Sequence, residues 1–128
     1  MRADAAGVEE ARLRFAWALA HSEADTDVHR ALEMLSTWME SKEVQRQREP
    51  LYLLGVAEYR LGHLAEAKRW AEEALSVAPT CQQAATLRTA CEDQLAEDAL
   101  IAGLGVAGVV GGLAAVAFAL MASGRRRA

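Results

Sequence analysis

Apolar residues recur at helical spacing along five successive segments of this 128-residue chain. Positions three, four and seven apart lie on one face of a helix, so each segment predicts an amphipathic helix of two to four turns. The apolar positions are Ala11, Phe15, Ala18 and Leu19; Val28, Ala31, Leu32, Leu35 and Met39; Leu51, Leu54 and Gly55; Leu64, Ala67, Ala71, Ala74 and Leu75; and Ala84, Leu87, Cys91 and Leu95. No strand pattern interrupts them, and we therefore expect an all-α fold.

The segments between these helices contain residues that begin and end helices. The acidic side chains of residues 22–27 (SEADTD) favour the start of the second helix, because the positive end of a helix dipole attracts negative charge. Gly62 suits the left-handed position that follows a helix, and Pro79 ends the fourth helix. These breaks predict short connections between antiparallel neighbours.

Two further boundaries rest on weaker patterns. Thr80 with Gln83 predicts a capping box at the start of the fifth helix. Pro50 has two interpretations: it lies in the first turn of the third helix, or it kinks a helix that begins near Glu43.

Residues 99–122 form an apolar segment without any charged side chain, and Arg125, Arg126 and Arg127 follow it. A helix of this length spans about 36 Å, and the hydrocarbon core of a bilayer is about 30 Å thick. A helix in the core of so small a domain would need a polar face, which this segment lacks. We therefore predict a transmembrane tail anchor over 99–122, with residues 1–98 in the cytosol and a short basic tail at 123–128.

The composition of this segment favours particular membranes and leaves its self-association open. Its moderate hydrophobicity and basic end are typical of anchors in the mitochondrial outer membrane and in peroxisomes. Gly108 and Gly112 form a G-x-x-x-G pair, a spacing that lets two membrane helices approach closely and form a homo-oligomer. The alternative is a weakly hydrophobic anchor without helix pairing.

Charge and histidine placement argue against several functional classes. Residues 1–98 carry 11 basic and 18 acidic side chains, a net charge of −7, whereas nucleic-acid binding needs a basic face. His21, His29 and His63 are scattered and show no metal-ligand spacing. We expect no metal, no cofactor and no enzymatic activity.

The two cysteines predict free thiols rather than a disulfide. Cys81 and Cys91 are ten residues apart, which on one helix separates them by about 15 Å. A disulfide needs Cα atoms within about 7 Å, so these residues are expected to pack as thiols in a reducing compartment.

Residues 55–79 (GVAEYRLGHLAEAKRWAEEALSVAP) resemble a tetratricopeptide repeat. The residues at the usual positions of the repeat are Gly55, Ala57, Tyr59, Leu61, Gly62, Ala67, Ala74, Leu75 and Pro79. The small residues Gly55, Ala67 and Ala74 let paired helices approach closely. A degenerate copy precedes it, with FAWALAHS as its first helix and VHRALEMLSTWM as its second. Because so few repeats rarely stand alone, residues 80–97 are expected to cap one end.

The order of segments resembles the mitochondrial fission 1 protein family from about Phe15 to Arg127. It runs from AWAL through ALEML, LLGVAEYRLG and a capping helix to a glycine-rich anchor with a basic end. Members of that family usually begin with an extra helix and a flexible arm, whereas 14 residues precede Phe15 here.

This resemblance implies a tetratricopeptide-repeat-like bundle of about five helices plus a C-terminal transmembrane helix. It also implies a cytosol-facing adaptor that recruits a dynamin-related GTPase, directly or through fission adaptor proteins, to mitochondria and peroxisomes. Its partners would be those proteins and the lipid bilayer. The alternative is a tail-anchored tether or co-chaperone on another organelle, although the chain has no Asn for a co-chaperone's carboxylate clamp.

Repeat geometry places the first helix of each pair along a concave, partner-binding face. By repeat position, the expected groove residues are Trp17, His21, Tyr52, Val56, Tyr59 and Arg60. Aromatic side chains in such a groove suit a bound helix or extended peptide, and the alternative for each aromatic is ordinary core packing.

Overall fold

The computed structural model describes residues 2–107, with side chains over 7–103. Five α-helices and one 3₁₀ turn follow one another: α1 (Arg2–Ala20), α2 (Asp25–Trp38), the 3₁₀ turn (Val44–Arg46), α3 (Arg48–Arg60), α4 (Leu64–Val77) and α5 (Gln82–Ala107). Residues 2–107 contain no strand, and the expected all-α fold of five helices is confirmed.

The chain divides into two compact units, the first of which ends at Glu92 and the second of which begins at Asp93. In the first unit, α3 is the central helix because α1, α2, α4 and the 3₁₀ turn all contact it. Helices α1 and α2 also contact each other. In the second unit, residues 93–107 continue α5 as a helix.

The core of the first unit consists of aliphatic side chains and small residues. Its largest fully buried side chains are Leu35, Leu51, Leu54, Val28 and Cys91. The predicted apolar faces of α2, α4 and α5 supply about half of its buried residues, and those three predictions are confirmed. Both cysteines are buried and free, as expected.

Gly55 allows α3 to pack closely against its neighbours. A Cβ atom at this position would lie 2.7 Å from Leu87 Cδ2 and 3.4 Å from the carbonyl oxygen of Ala67. Ala67 and Ala74 are fully buried on α4. The expectation that small residues let these helices approach is therefore confirmed.

The turn between α3 and α4 uses the left-handed conformation predicted for Gly62, whose φ is +83°. The Gly62 N–H donates to the carbonyl of Tyr59 at 3.0 Å, and the His63 N–H donates to the carbonyl of Glu58 at 2.8 Å. This pair of bonds is the Schellman arrangement, which satisfies carbonyls that the end of a helix leaves free. Helix α4 then ends at Val77, two residues before Pro79.

The structure distinguishes the two interpretations of Pro50 and contradicts the predicted start of the fifth helix. Pro50 lies in the first turn of α3, which begins at Arg48, so the first interpretation is confirmed. The capping box at Thr80 and Gln83 is wrong, because α5 begins at Gln82. The carbonyl of Cys81 accepts the bond from the Ala85 N–H at 3.1 Å, which places Cys81 at the N-cap position.

The predicted apolar face of α1 is also wrong in most of its members. Ala11 and Ala18 are exposed, and Phe15 is 48% exposed, whereas Ala16 and Ala20 are fully buried. Helix α1 has apolar residues on more than one face, and its contacts with α2 and α3 select a different one.

Most of the predicted tail lies beyond this part of the chain. Residues 99–107 form the end of α5, and residues 108–128, including Gly108, Gly112, Arg125, Arg126 and Arg127, lie outside the described residues. Among the helices of residues 2–107, none combines the length and the apolar content needed to cross a bilayer.

Candidate partner-binding groove

Helices α1 and α3 and the start of α5 enclose a groove of about 410 Å³, which we call the concave groove. Positions three or four apart along each helix share a face, so short segments of α1 and α3 supply nearly all of its walls. The lining residues are Leu13, Arg14, Trp17, His21, Arg48, Glu49, Tyr52, Leu53 and Gln83.

An aromatic pair at the end of α1, formed by Trp17 and by His21 directly after the helix, forms one wall of the concave groove. The rings of Trp17 and His21 stack with centroids 4.1 Å apart and planes inclined by 24°. The His21 Nδ1 lies 2.8 Å from the carbonyl oxygen of Trp17, so this nitrogen carries the hydrogen and donates it. Trp17 is nevertheless 55% exposed. The stack and the hydrogen bond orient a large apolar surface toward solvent.

Tyr52 on α3 forms part of the opposite wall. Its ring is partly buried and packs against both clusters of the core. Burial raises the pKa of the Tyr52 hydroxyl above 10.0, and the nearby Cys81 thiol raises it further. The hydroxyl therefore stays protonated near neutral pH and can donate a hydrogen bond.

Two arginines and one glutamate supply the charge of the concave groove. Arg14 lies 3.4 Å from Glu10, and Arg48 lies 3.4 Å from Glu49. Both ion pairs are solvent-exposed, and such pairs contribute only about 0–1 kcal/mol. Either guanidinium can therefore turn toward an acidic group of a partner at little cost.

The structure brings together three of the six predicted groove residues, Trp17, His21 and Tyr52. The other three predicted positions lie outside the concave groove. Val56 is only 8% exposed, and Tyr59 packs partly buried against the core. Arg60 donates from Nη2 to the carbonyl of Ser22 at 2.6 Å and so ties the end of α3 to the turn between α1 and α2. Because α3 is central, only its first half opens onto the groove.

Several lining residues were not predicted, although the helical pattern of the sequence contains them. Arg14 precedes Trp17 and His21 by three and seven positions, and Arg48 precedes Tyr52 by four. That spacing already places each arginine on the face of its aromatic neighbour. Gln83 had no such signal, because the packing of α5 brings it to the groove.

Glu58 is a buried carboxylate with one partner, His63, whose Nδ1 lies 2.9 Å from Oε1. The pair closes the same turn that Gly62 shapes. Across the residues that the structure describes, no group of three or more His, Cys, Asp or Glu side chains could hold a metal ion. The Glu58 and His63 pair therefore belongs to the turn.

Known proteins match this chain in sequence over most of its length. A family model described as the Fis1 C-terminal tetratricopeptide repeat matches residues 48–100. Mitochondrial fission 1 protein of Neurospora crassa is 33% identical over 110 residues, which are 81% of this chain and 71% of that protein. The chain belongs to the mitochondrial fission 1 protein family.

Two further members of the fission 1 family set the extent of the match. Mitochondrial fission 1 protein B of Arabidopsis thaliana is 37% identical over 112 residues, 84% of this chain. The chain covers 66% of that protein and 58% of fission 1 protein A from the same plant, so it spans less than two thirds of both. The crystal structure of fission protein Fis1 from Saccharomyces cerevisiae is similar with a TM-score of 0.63 and 26% identity, over 72% of this chain and 70% of that one. The expected resemblance to this family is confirmed.

Proposed function

We propose that this member of the fission 1 family is a membrane-anchored adaptor that promotes mitochondrial fission. It recruits a dynamin-related GTPase, directly or through fission adaptor proteins, and the GTPase performs the mechanical work. The observation that carries the proposal is the concave groove, in which Trp17, His21 and Tyr52 form an oriented aromatic surface. This role requires no catalytic group of the chain itself.

The groove suits a helix or an extended segment of a partner. Exposed Trp and Tyr side chains are the residues that most often dominate binding energy, because each buries a large area with little loss of conformational freedom. Trp17 supplies the exposed ring, and Tyr52 supplies a ring with a protonated hydroxyl. A partner segment with apolar side chains on one face would fill the space between them.

The membrane address rests on the apolar segment 99–122 and on Arg125, Arg126 and Arg127 behind it. We propose that this segment anchors the chain in the mitochondrial outer membrane by a single pass, with the helical domain in the cytosol. Peroxisomal membranes accept anchors of the same composition. Gly108 and Gly112 would allow two anchors to pair in the bilayer.

A co-precipitation experiment tests recruitment through the groove. The full-length chain in mild detergent is offered a dynamin-related GTPase together with fission adaptor proteins. The variant Trp17→Ala with Tyr52→Ala is compared with Phe15→Ala, which removes another exposed aromatic ring of α1 outside the concave groove.

The groove variant is expected to bind at least about 30-fold more weakly, because truncating one dominant contact costs about 2 kcal/mol or more. The Phe15→Ala control is expected to bind like the unmodified chain. Equal recruitment by the groove variant and the control would show that the concave groove does not bind the fission machinery.

A further inference from the structure

Two arginines give the concave groove a charge opposite to that of the domain around it. Arg14 on α1 and Arg48 on α3 line the groove together with one acidic residue, Glu49. Residues 1–98 as a whole carry a net charge of −7. A local excess of positive charge on an acidic domain draws negatively charged groups of a partner to that place and repels positively charged ones.

The ion pair of Arg14 leaves its guanidinium available to a group in the groove. Its partner Glu10, 3.4 Å away, lines a separate cavity of about 230 Å³ and not the concave groove. The side chains of Arg14 and Glu10 are 79% and 68% exposed, so water screens their attraction. A carboxylate that enters the groove can therefore bind Arg14 without breaking a buried contact.

The ion pair of Arg48 has an unfavourable geometry. Arg48 and Glu49 are consecutive residues in the first turn of α3, and Nη2 of the arginine lies 3.4 Å from Oε1 of the glutamate. Consecutive residues of a helix do not face each other, so this pair lacks the support that residues three or four apart give each other. Arg48 is half-exposed and retains its capacity to bind a carboxylate of a partner.

Other polar groups of the groove also suit a hydrogen-bond acceptor. Tyr52 supplies a hydroxyl donor, and Gln83 supplies the two N–H donors of its amide. Gln83 lies in the first turn of α5, which contains no acidic residue. The N–H groups of such a turn have no partner within the helix and carry partial positive charge. Donors from three helices therefore surround the exposed ring of Trp17.

We propose that the concave groove selects a partner segment with carboxylates beside its apolar side chains, and that Arg14 and Arg48 determine this specificity. Apolar side chains of such an acidic amphipathic helix contact Trp17 and Tyr52, and its carboxylates pair with the two arginines. Because the groove is the proposed docking site of the fission machinery, this selectivity rests on that function. It adds a requirement that the aromatic surface alone does not impose.

The two arginines act more on specificity than on affinity. An exposed ion pair adds little binding energy, whereas like charges that face each other across an interface are unfavourable. Specificity is a difference between two affinities. The quantity to measure is therefore the ratio of the affinities for an acidic and a basic segment that share the same apolar face.

The test measures binding of two peptides to the full-length chain in nanodiscs of phosphatidylcholine. Both peptides have Leu along one helical face, charged residues on its two flanks, and Ala and Gln elsewhere. The charged residues are Glu in the acidic peptide and Lys in the basic peptide. A hydrocarbon staple locks both as helices, amidation removes the terminal carboxylate, and an uncharged BODIPY dye reports fluorescence anisotropy. Nanodiscs without protein give the background.

The variant Arg14→Glu with Arg48→Glu reverses the charge of the groove. The matched control is Arg69→Glu with Arg88→Glu, because these arginines also form exposed ion pairs and lie outside the groove. The unmodified chain and the control are expected to bind the acidic peptide about tenfold more tightly than the basic one. The charge-reversed groove is expected to prefer the basic peptide. Because this is a gain of binding, a misfolded variant cannot produce it.

Four results would overturn the proposal. They are no binding of the acidic peptide, equal affinity of the unmodified chain for both peptides, an unchanged affinity ratio in the charge-reversed groove, or a change of that ratio in the control as large as in the groove variant. Trp17→Ala with Tyr52→Ala is expected to weaken the acidic peptide, and undiminished affinity would also overturn the proposal, because the peptide would then bind elsewhere.

The same aromatic variant separates this specificity from the proposed function. If the aromatic variant loses both peptides while the unmodified chain binds them equally, the groove remains a docking surface and only its charge preference is refuted. If the aromatic variant still recruits the fission machinery in the co-precipitation experiment, the proposed function fails, whatever the ratio of the two peptide affinities.

Discussion

Replacement of Gly55 by alanine tests how closely the central helix packs. The added Cβ atom would lie 2.7 Å from Leu87 Cδ2, whereas carbon atoms in contact sit about 3.5–4.0 Å apart. The backbone of α4 lies on another side, with the Ala67 carbonyl oxygen at 3.4 Å and the Ala71 nitrogen at 3.6 Å. Because α3 cannot shift toward α4, the buried Leu87 must retreat by about 1 Å.

Two opposing effects determine how Gly55→Ala changes the free energy of unfolding. Overpacking a core costs about 1–3 kcal/mol, and replacing a helical glycine by alanine contributes about 1 kcal/mol of helix stability. We expect Gly55→Ala to lower the free energy of unfolding by about 1 kcal/mol. Gly7→Ala is the matched control, because its Cβ would meet nothing within 4 Å, and it should raise stability by about 0.5–1 kcal/mol.

The assay is urea unfolding of the full-length chain in mild detergent, followed by tryptophan fluorescence. A double-mutant cycle with Leu87→Ala isolates the contact, since the Gly55 substitution should no longer destabilise once the leucine is shortened. If Gly55→Ala stabilised the protein as much as Gly7→Ala does, the close approach at Gly55 would be refuted.

Three further outcomes are expected. Gly62→Ala should lower the free energy of unfolding by about 1–2 kcal/mol in the same assay, because the φ of +83° at this position is strained for residues with a Cβ. Gly62→Asn should cost less, and equal stability of both variants and the unmodified chain would contradict this prediction. Arg60→Ala should lower the free energy of unfolding by about 1 kcal/mol and speed amide hydrogen exchange at the turn between α1 and α2, because it removes the hydrogen bond to the Ser22 carbonyl. Unchanged exchange would contradict a stabilising role for this hydrogen bond. Burial, reinforced by Glu92, raises the pKa of the Cys91 thiol above 9.0. The contribution of Cys91 to the free energy of unfolding should therefore be fully present below about pH 9 and be lost as pH rises through the folded-state pKa. A stability profile that is identical in Cys91→Ala would contradict the last prediction.

The helices were predictable where each has one apolar face and a clear terminal residue. In α4, Ala67, Ala71 and Ala74 repeat at helical spacing and are all fully buried. Gly62 marks the turn before α4 because the backbone there needs a positive φ. Local periodicity and backbone conformation are properties that a sequence expresses directly.

The buried face of α1 was not predictable in the same way. Ala16 and Ala20 are buried, whereas Ala11 and Ala18 are exposed. An alanine is small and apolar on every face of a helix, so its position carries little information about which face meets the core. The choice depends on where α2 and α3 lie, which is a tertiary property.

In the candidate sites, too, local patterns were predictable and tertiary packing was not. Trp17 and Tyr52 could be assigned to the concave groove from repeat position, but Val56 could not be recognised as buried without knowing that α3 is central. A second cavity, which lies between the end of α2, the 3₁₀ turn, α3 and α4, had no sequence signal. Its cations come from the segment after α2 and from α4, and only the fold brings Arg46 and Arg69 to the same cavity.

The most direct test of the proposed role measures mitochondrial length in cells that lack their own fission 1 protein. An N-terminally tagged full-length chain is expected to surround mitochondria and to shorten them. The Trp17→Ala and Tyr52→Ala double variant is expected to reach the same membrane and leave the mitochondria elongated, whereas Phe15→Ala shortens them. Shortening by the groove variant to the same length, or labelling of the endoplasmic reticulum alone by the unmodified chain, would contradict an adaptor that acts through the concave groove at the mitochondrial surface.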